Sequence, residues 1–155
     1  MFRKGDLLDL LPMLHNIKEL HLRFNYGHDL DSKDGLPQFA PTPLNHLRVL
    51  EVFHPDILSW FETPSLCGLY FVNYRKDKPL DVHEQISSLI QRSGCQIRKL
   101  SFESCKKIHV GTLKDVEELE ICSENQTRSS IDISSLPKLR FLTIIGVVHQ
   151  DIEQW

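Results

Sequence analysis

The 155-residue chain has only four cysteines, Cys67, Cys95, Cys105 and Cys122. None stands in a C-x-x-C pair, and neither Cys95 nor Cys105 has a second thiol or a histidine at ligand spacing, so zinc and a dense disulfide framework are both disfavoured. They read as free, reduced thiols used as small apolar fillers. No apolar run reaches the roughly 18 to 20 residues of a membrane span. The start, "MFRKGDLLDLLPML", is interrupted by Asp6, Asp9 and Pro12 and lacks the form of a secretory leader. Positive charge is also short. Net charge is −3, and clusters such as Lys106-Lys107 are too small for a nucleic-acid or anionic-membrane footprint. The expected setting is the cytoplasm or nucleus, with no nucleic acid and no membrane as partner.

Motifs for chemistry are equally scarce. "DLDSKDG" begins like a calcium loop, but its twelfth position is Ala40 instead of a bidentate Glu. His83-Glu84 begins like a zinc-protease helix, yet Ser87 stands where the second His belongs. No G-x-S-x-G, P-loop or G-x-G-x-x-G occurs, and the eight histidines are scattered. The expectation is a non-enzyme with no cofactor, no metal and no catalytic residues.

What the chain does have is a frame, φ-x-x-Leu-x-φ, where φ is apolar. It occurs as "IKELHL" from Ile17, "LRVLEV" from Leu47 and "LCGLYF" from Leu66. It returns as "IRKLSF" from Ile97, "VEELEI" from Val116 and "LRFLTI" from Leu139, with steps of 30, 19, 31, 19 and 23 residues. Four frames carry a further Leu three residues earlier, at Leu14, Leu44, Leu113 and Leu136; Thr63 and Gly94 hold that place in the others. In x-Leu-x-φ, alternate side chains point to opposite faces of a strand, so Leu and φ face a core together. One strand cannot bury such a face alone. Parallel stacking can, provided each return path crosses the back of the sheet.

This pattern resembles the leucine-rich repeat family, L-x-x-L-x-L-x-x-N/C-x-L. Asn25 and Cys105 fall on the asparagine-or-cysteine position, whereas Pro55, Tyr74, Glu124 and Val147 replace it elsewhere. The stretch with Cys95, Cys105 and Ile108, and openings such as "LPML" and "LPKL", are similar to the repeat regions of fungal F-box proteins. The resemblance implies an α/β fold: one leucine-rich repeat solenoid over residues 1–155, with about six parallel strands on the concave side and irregular helices and loops on the convex side. The strands are expected near 19–22, 49–52, 68–71, 99–102, 118–121 and 141–144. Between them, "PDILSWFET" suits one or two helical turns, and "DKPLDVHEQISSLIQRSG" suits a helix stopped by Gly94. "YGHDLDSKDGLPQFAPTP" and "SENQTRSS" read as loops. Neither end has a polar cap, so the chain reads as a piece of a longer one.

The resemblance further implies a protein-recognition module that binds another protein on its concave face. One form is the substrate-binding region of an F-box-type ubiquitin-ligase receptor, with ligase components reached through an F-box upstream of Met1. The alternative is a stand-alone inhibitor or scaffold without a link to ubiquitin. The third, fifth and seventh positions of each frame are expected on the concave face. These place Val49, Phe53, Tyr70 and Val72 in an apolar patch beside Glu51, with Glu118 and Glu120 nearby favouring basic residues of the partner. The loop over residues 26–46 could instead fold across that patch. Phe141 and Ile145 are left out of the patch, because a further repeat would cover them.

Overall fold

The structure, a computed structural model, describes residues 10–23, 40–72, 80–103, 108–109, 113–123 and 136–146. Six strands make one sheet: β1 (Glu19–His21), β3 (Val49–Val52), β5 (Gly68–Phe71), β7 (Lys99–Glu103), β9 (Glu118–Ser123) and β10 (Phe141–Gly146). Their spatial order is the order in the sequence, and every pairing is parallel. The register aligns the frames residue for residue. Leu20, Leu50, Leu69, Leu100, Leu119 and Leu142 stand side by side across the whole sheet. All six strand expectations coincide with observed strands to within two residues. Two short parallel pairs lie outside this sheet: β2 (Thr42–Pro43) with β4 (Phe61–Glu62), and β6 (Leu80–Asp81) with β8 (Ile108–His109).

The junctions between strands repeat as well. The Lys18 carbonyl accepts from the N–H groups of both Arg48 and Val49, and the Arg48 carbonyl from Cys67 and Gly68. The same two-donor contact recurs at Cys67, Arg98 and Glu117, at distances of 2.8–3.0 Å. The Leu that opens a frame also has a repeated task. A turn bond of 3.1 Å runs from Ile17 N–H to the Leu14 carbonyl, and likewise from Leu47 to Leu44 and from Leu139 to Leu136. Such a turn swings residues i and i+3 to one side, so both can be apolar and buried. Thr63 makes the same bond with Leu66. Gly94 does something different: it caps a helix at φ 67°, a left-handed conformation that favours glycine.

The core lies on one face of the sheet. Leu50, Leu69 and Leu100 are fully buried, as are Val52 and Phe102, and Phe71 and Leu119 are almost so. Each such burial contributes about 1.5–3 kcal/mol. Phe71 and Phe102, neighbours in register, stack with ring centroids 5.3 Å apart and planes 5° from parallel. The return segments close the core from outside. Pro55–Trp60 is a 3-10 helix with Ile57, Leu58 and Trp60 buried. Helix α1 (His83–Ser93) buries Ile86 and Leu89 and packs against that 3-10 helix.

Arg92 at the end of α1 ties the two together. Its guanidinium donates to the Phe61 carbonyl from Nε at 3.2 Å and Nη2 at 3.0 Å, and to the Leu58 carbonyl at 2.9 Å. Beside it, the buried Thr63 N–H donates to Ser93 Oγ at 2.9 Å. One cationic fork thus holds two C-terminal carbonyls of the preceding return segment, of which Leu58 also accepts from the Phe61 N–H.

Asn25, Tyr74, Cys105, Glu124 and Val147 lie outside the described residues, as do most of the 26–43 loop, nearly all of "SENQTRSS", both chain ends and the side chain of Ile108. The described thiols of Cys67 and Cys95 are in no disulfide. Among the described residues, no helix is long and apolar enough to cross a membrane.

Candidate protein-binding face

Period-two alternation sends the third and fifth positions of each frame to the face opposite the core. The register sets them in two rows. The first is Glu19, Val49, Gly68, Lys99, Glu118 and Phe141; the second is His21, Glu51, Tyr70, Ser101, Glu120 and Thr143. The structure therefore brings Val49, Glu51, Tyr70, Glu118 and Glu120 onto one face.

Tyr70 sits in the middle strands, half-buried. A Cβ placed on Gly68 would come within 3.2 Å of Tyr70 Cε2, so the ring lies across bare backbone that a larger residue would obstruct. Lys99 Nζ stands 5.8 Å from the ring centroid, within cation–π range, and 3.6 Å from Glu118 Oε2. Ser101 Oγ donates to Glu120 Oε1 at 3.4 Å. The outcome is an aromatic ring held in place, with a cation beside it and two carboxylates, Glu118 exposed and Glu120 half-exposed, on the next strand but one.

Two expected patch members are elsewhere. Phe53 is 7% exposed and belongs to the hydrophobic core, and Val72 is 8% exposed. Each stands one residue beyond the end of its strand. There the chain turns toward its return segment, and alternation no longer fixes which way a side chain points. The apolar patch of Val49, Phe53, Tyr70 and Val72 is thus not an open surface; of its members only Tyr70 and Val49 remain partly accessible.

Glu51 also departs from expectation. Its side chain is 7% exposed, covered by Arg23 and His21. Arg23 Nε donates to Oε1, Arg23 Nη2 donates to Oε2 at 3.2 Å, and His21 Nδ1 lies 2.9 Å from Oε2. With both oxygens occupied, Glu51 organises the first strands and is not an open contact. The Arg23 hydrogen bond holds its carboxyl below the ordinary 4.5, against the opposing effect of burial, and His21 adds to the lowering. A depressed carboxylate contributes stability above its unfolded pKa and loses it as pH falls through the folded value. The melting-temperature gap between wild type and Glu51→Gln should therefore be widest near neutrality and close as pH drops below about 4.5. Thermal melts between neutral pH and pH 3 check this; a gap that stays constant would contradict it.

A separate cleft of about 270 Å³ opens behind the sheet, between α1 and the turn before β9. Cys95, Ile97, Leu113, Lys114 and Asp115 line it together with Ser87, Ile90 and Gln91. Burial pushes the Cys95 thiol up to about 11, so it stays protonated near neutral pH and is a poor nucleophile. Among the described residues, no three His, Cys, Asp or Glu side chains are placed to share a metal ion.

The chain matches no protein-family model, no curated protein and no solved structure. Its own geometry has to carry the functional reading.

Sequence reasoning missed the Gly68 seat under Tyr70 and the fork made by Arg92. The first had a faint signal: glycine at the third position of a frame leaves room beside its i+2 neighbour. The second had none, because its acceptors are backbone carbonyls 31 and 34 residues away.

Proposed function

We propose that the chain is a repeat solenoid of the leucine-rich kind and a non-catalytic protein-recognition module. The recurring turn and two-donor junction support the repeat reading. The observation that carries the recognition reading is the sheet face opposite the core, where Tyr70 is propped on Gly68 and flanked by Lys99, Glu118 and Glu120. Such a face suits a partner that lays an apolar or cationic side chain against the ring and basic groups against the carboxylates. Tyr70 is the anchor in this reading.

Capture of partners from a lysate, followed by calorimetry with the partner identified, tests it. Tyr70→Ala should weaken binding by more than about 1 kcal/mol, roughly fivefold in Kd, while leaving stability nearly intact. Unchanged affinity would place the contact elsewhere. Phe53→Ala does not serve, because truncating a core residue reports on folding.

The finer reading is the substrate-binding repeat region of an F-box-type ubiquitin-ligase receptor, resting on the sequence resemblance alone. It requires coding sequence for an F-box upstream of Met1, and co-purification of ligase components with the extended chain. If neither is found, the stand-alone inhibitor or scaffold is the reading that stands.

A further inference from the structure

Strand β10 breaks the pattern of the other strands. Among the described residues it has one hydrogen-bonded neighbour, β9, as the opposite edge strand β1 has only β3, and all six of its residues are exposed. On the core face Leu142 is 45% and Ile144 67% exposed, at positions held in β7 by the fully buried Leu100 and Phe102. On the opposite face Phe141 is 63% and Ile145 45% exposed. A six-residue, mostly apolar strand with no charged side chain, whose second edge pairs with no described strand, is an open template for strand pairing.

The direction of its backbone groups selects the pairing. Phe141 N–H bonds the Glu117 carbonyl on the β9 side. Alternation along a parallel strand then turns the Thr143 and Ile145 groups toward β9, and the Leu142 and Ile144 groups toward the second edge. A twofold axis through Thr143 makes an antiparallel pair of two such strands. Leu142 and Ile144 of the second copy then form a hydrogen-bonded pair, using the groups that point outward. Phe141 meets Ile145 of the second copy on one face, and Leu142 meets Ile144 on the other. Thr143 meets itself, a favourable cross-strand pair. Every apolar side chain opposes an apolar one, and no charge opposes a like charge. Shifting the centre to Leu142 would set Arg140 against Ile144, and a centre at Ile144 would set Leu142 against Gly146.

A head-to-tail contact with the opposite edge fits worse. Strand β1 has only three residues and presents Glu19 and His21, which would meet Phe141 and Thr143. It would also propagate into an open filament.

We infer that β10 is the interface of a twofold dimer, in which two copies of this chain join their sheets edge to edge in antiparallel fashion about Thr143. The surface involved is small beside the about 800 Å² per partner of a standard specific interface, so association is expected to be weak and concentration-dependent. This inference stands apart from the recognition reading and uses none of its residues.

Sedimentation equilibrium on the full 155-residue chain tests it, with circular dichroism melts as a folding control. Wild type should be dimeric at concentrations on the order of 100 µM. Ile144→Lys should be monomeric, with a melting temperature near that of dilute, monomeric wild type, because the side chain is exposed before pairing. Thr143→Cys supplies the positional test. In a non-hydrogen-bonded antiparallel pair the two Cα atoms stand about 4.5 Å apart, within disulfide range. That variant should therefore form a covalent dimer through residue 143 on mild oxidation, identified by peptide mass spectrometry. Phe141→Cys should not link to itself. A wild type that stays monomeric, a dimer that survives Ile144→Lys, or an absent 143–143 linkage would each overturn the inference.

Discussion

Leu100→Ala should lower the stability of the fold by about 2–5 kcal/mol, the largest effect expected for a single substitution here. Leu100 is fully buried on β7, one of the two central strands, in register with Leu69 on one side and Leu119 on the other. Truncation removes the transfer energy of the lost carbons and leaves a void between two strands that are themselves pinned by ladder bonds. Relaxation is therefore limited, and the cost should lie in the upper part of that range. At about 2–4 °C per kcal/mol for a chain of this size, the melting temperature should fall by about 5–20 °C. An unchanged melting curve would mean that β7 is not the packed centre of the sheet.

The second large effect should come from Arg92→Ala. Its guanidinium is shared between the carbonyls of Leu58 and Phe61, two residues that are fully buried. Removing it leaves carbonyls without those donors, a loss of about 1–3 kcal/mol. Arg92→Lys should restore only part, since one ammonium can replace Nη2, which reaches both acceptors, but not the second donor from Nε to Phe61. Urea unfolding of the two variants checks this. Full recovery by lysine would show that charge matters there and geometry does not.

These two residues also show how far the sequence could be read. Leu100 was legible because period-two alternation, repeated six times, marks a buried strand position wherever it occurs. The same logic placed every strand of the main sheet and the exposed rows of Glu118 and Glu120. It failed at Phe53 and Val72, one residue past the strand ends, where the local rule of alternation stops and the path of the return segment decides burial. Glu51 was assigned to the correct face, but its burial depends on Arg23, which reaches back from beyond the end of a neighbouring strand. Arg92 was invisible for the same reason: long side chains that bind distant backbone leave no periodic trace. Leu142 and Ile144 carry the same frame as Leu100 and Phe102 yet lie exposed on the edge strand, whereas Leu22 holds the Ile144 position at the opposite edge and is buried, so the frame alone does not fix burial at a sheet edge.

The central claim, that the sheet face opposite the core recognises another protein, is tested most directly by carboxylate footprinting with and without a captured partner. Glu118, Glu120 and Glu84 are compared, the first two on that face and the last exposed on helix α1. The account predicts that the partner protects Glu118 and Glu120 from labelling and leaves Glu84 unchanged. Protection of Glu84 with Glu118 and Glu120 still fully labelled would contradict it.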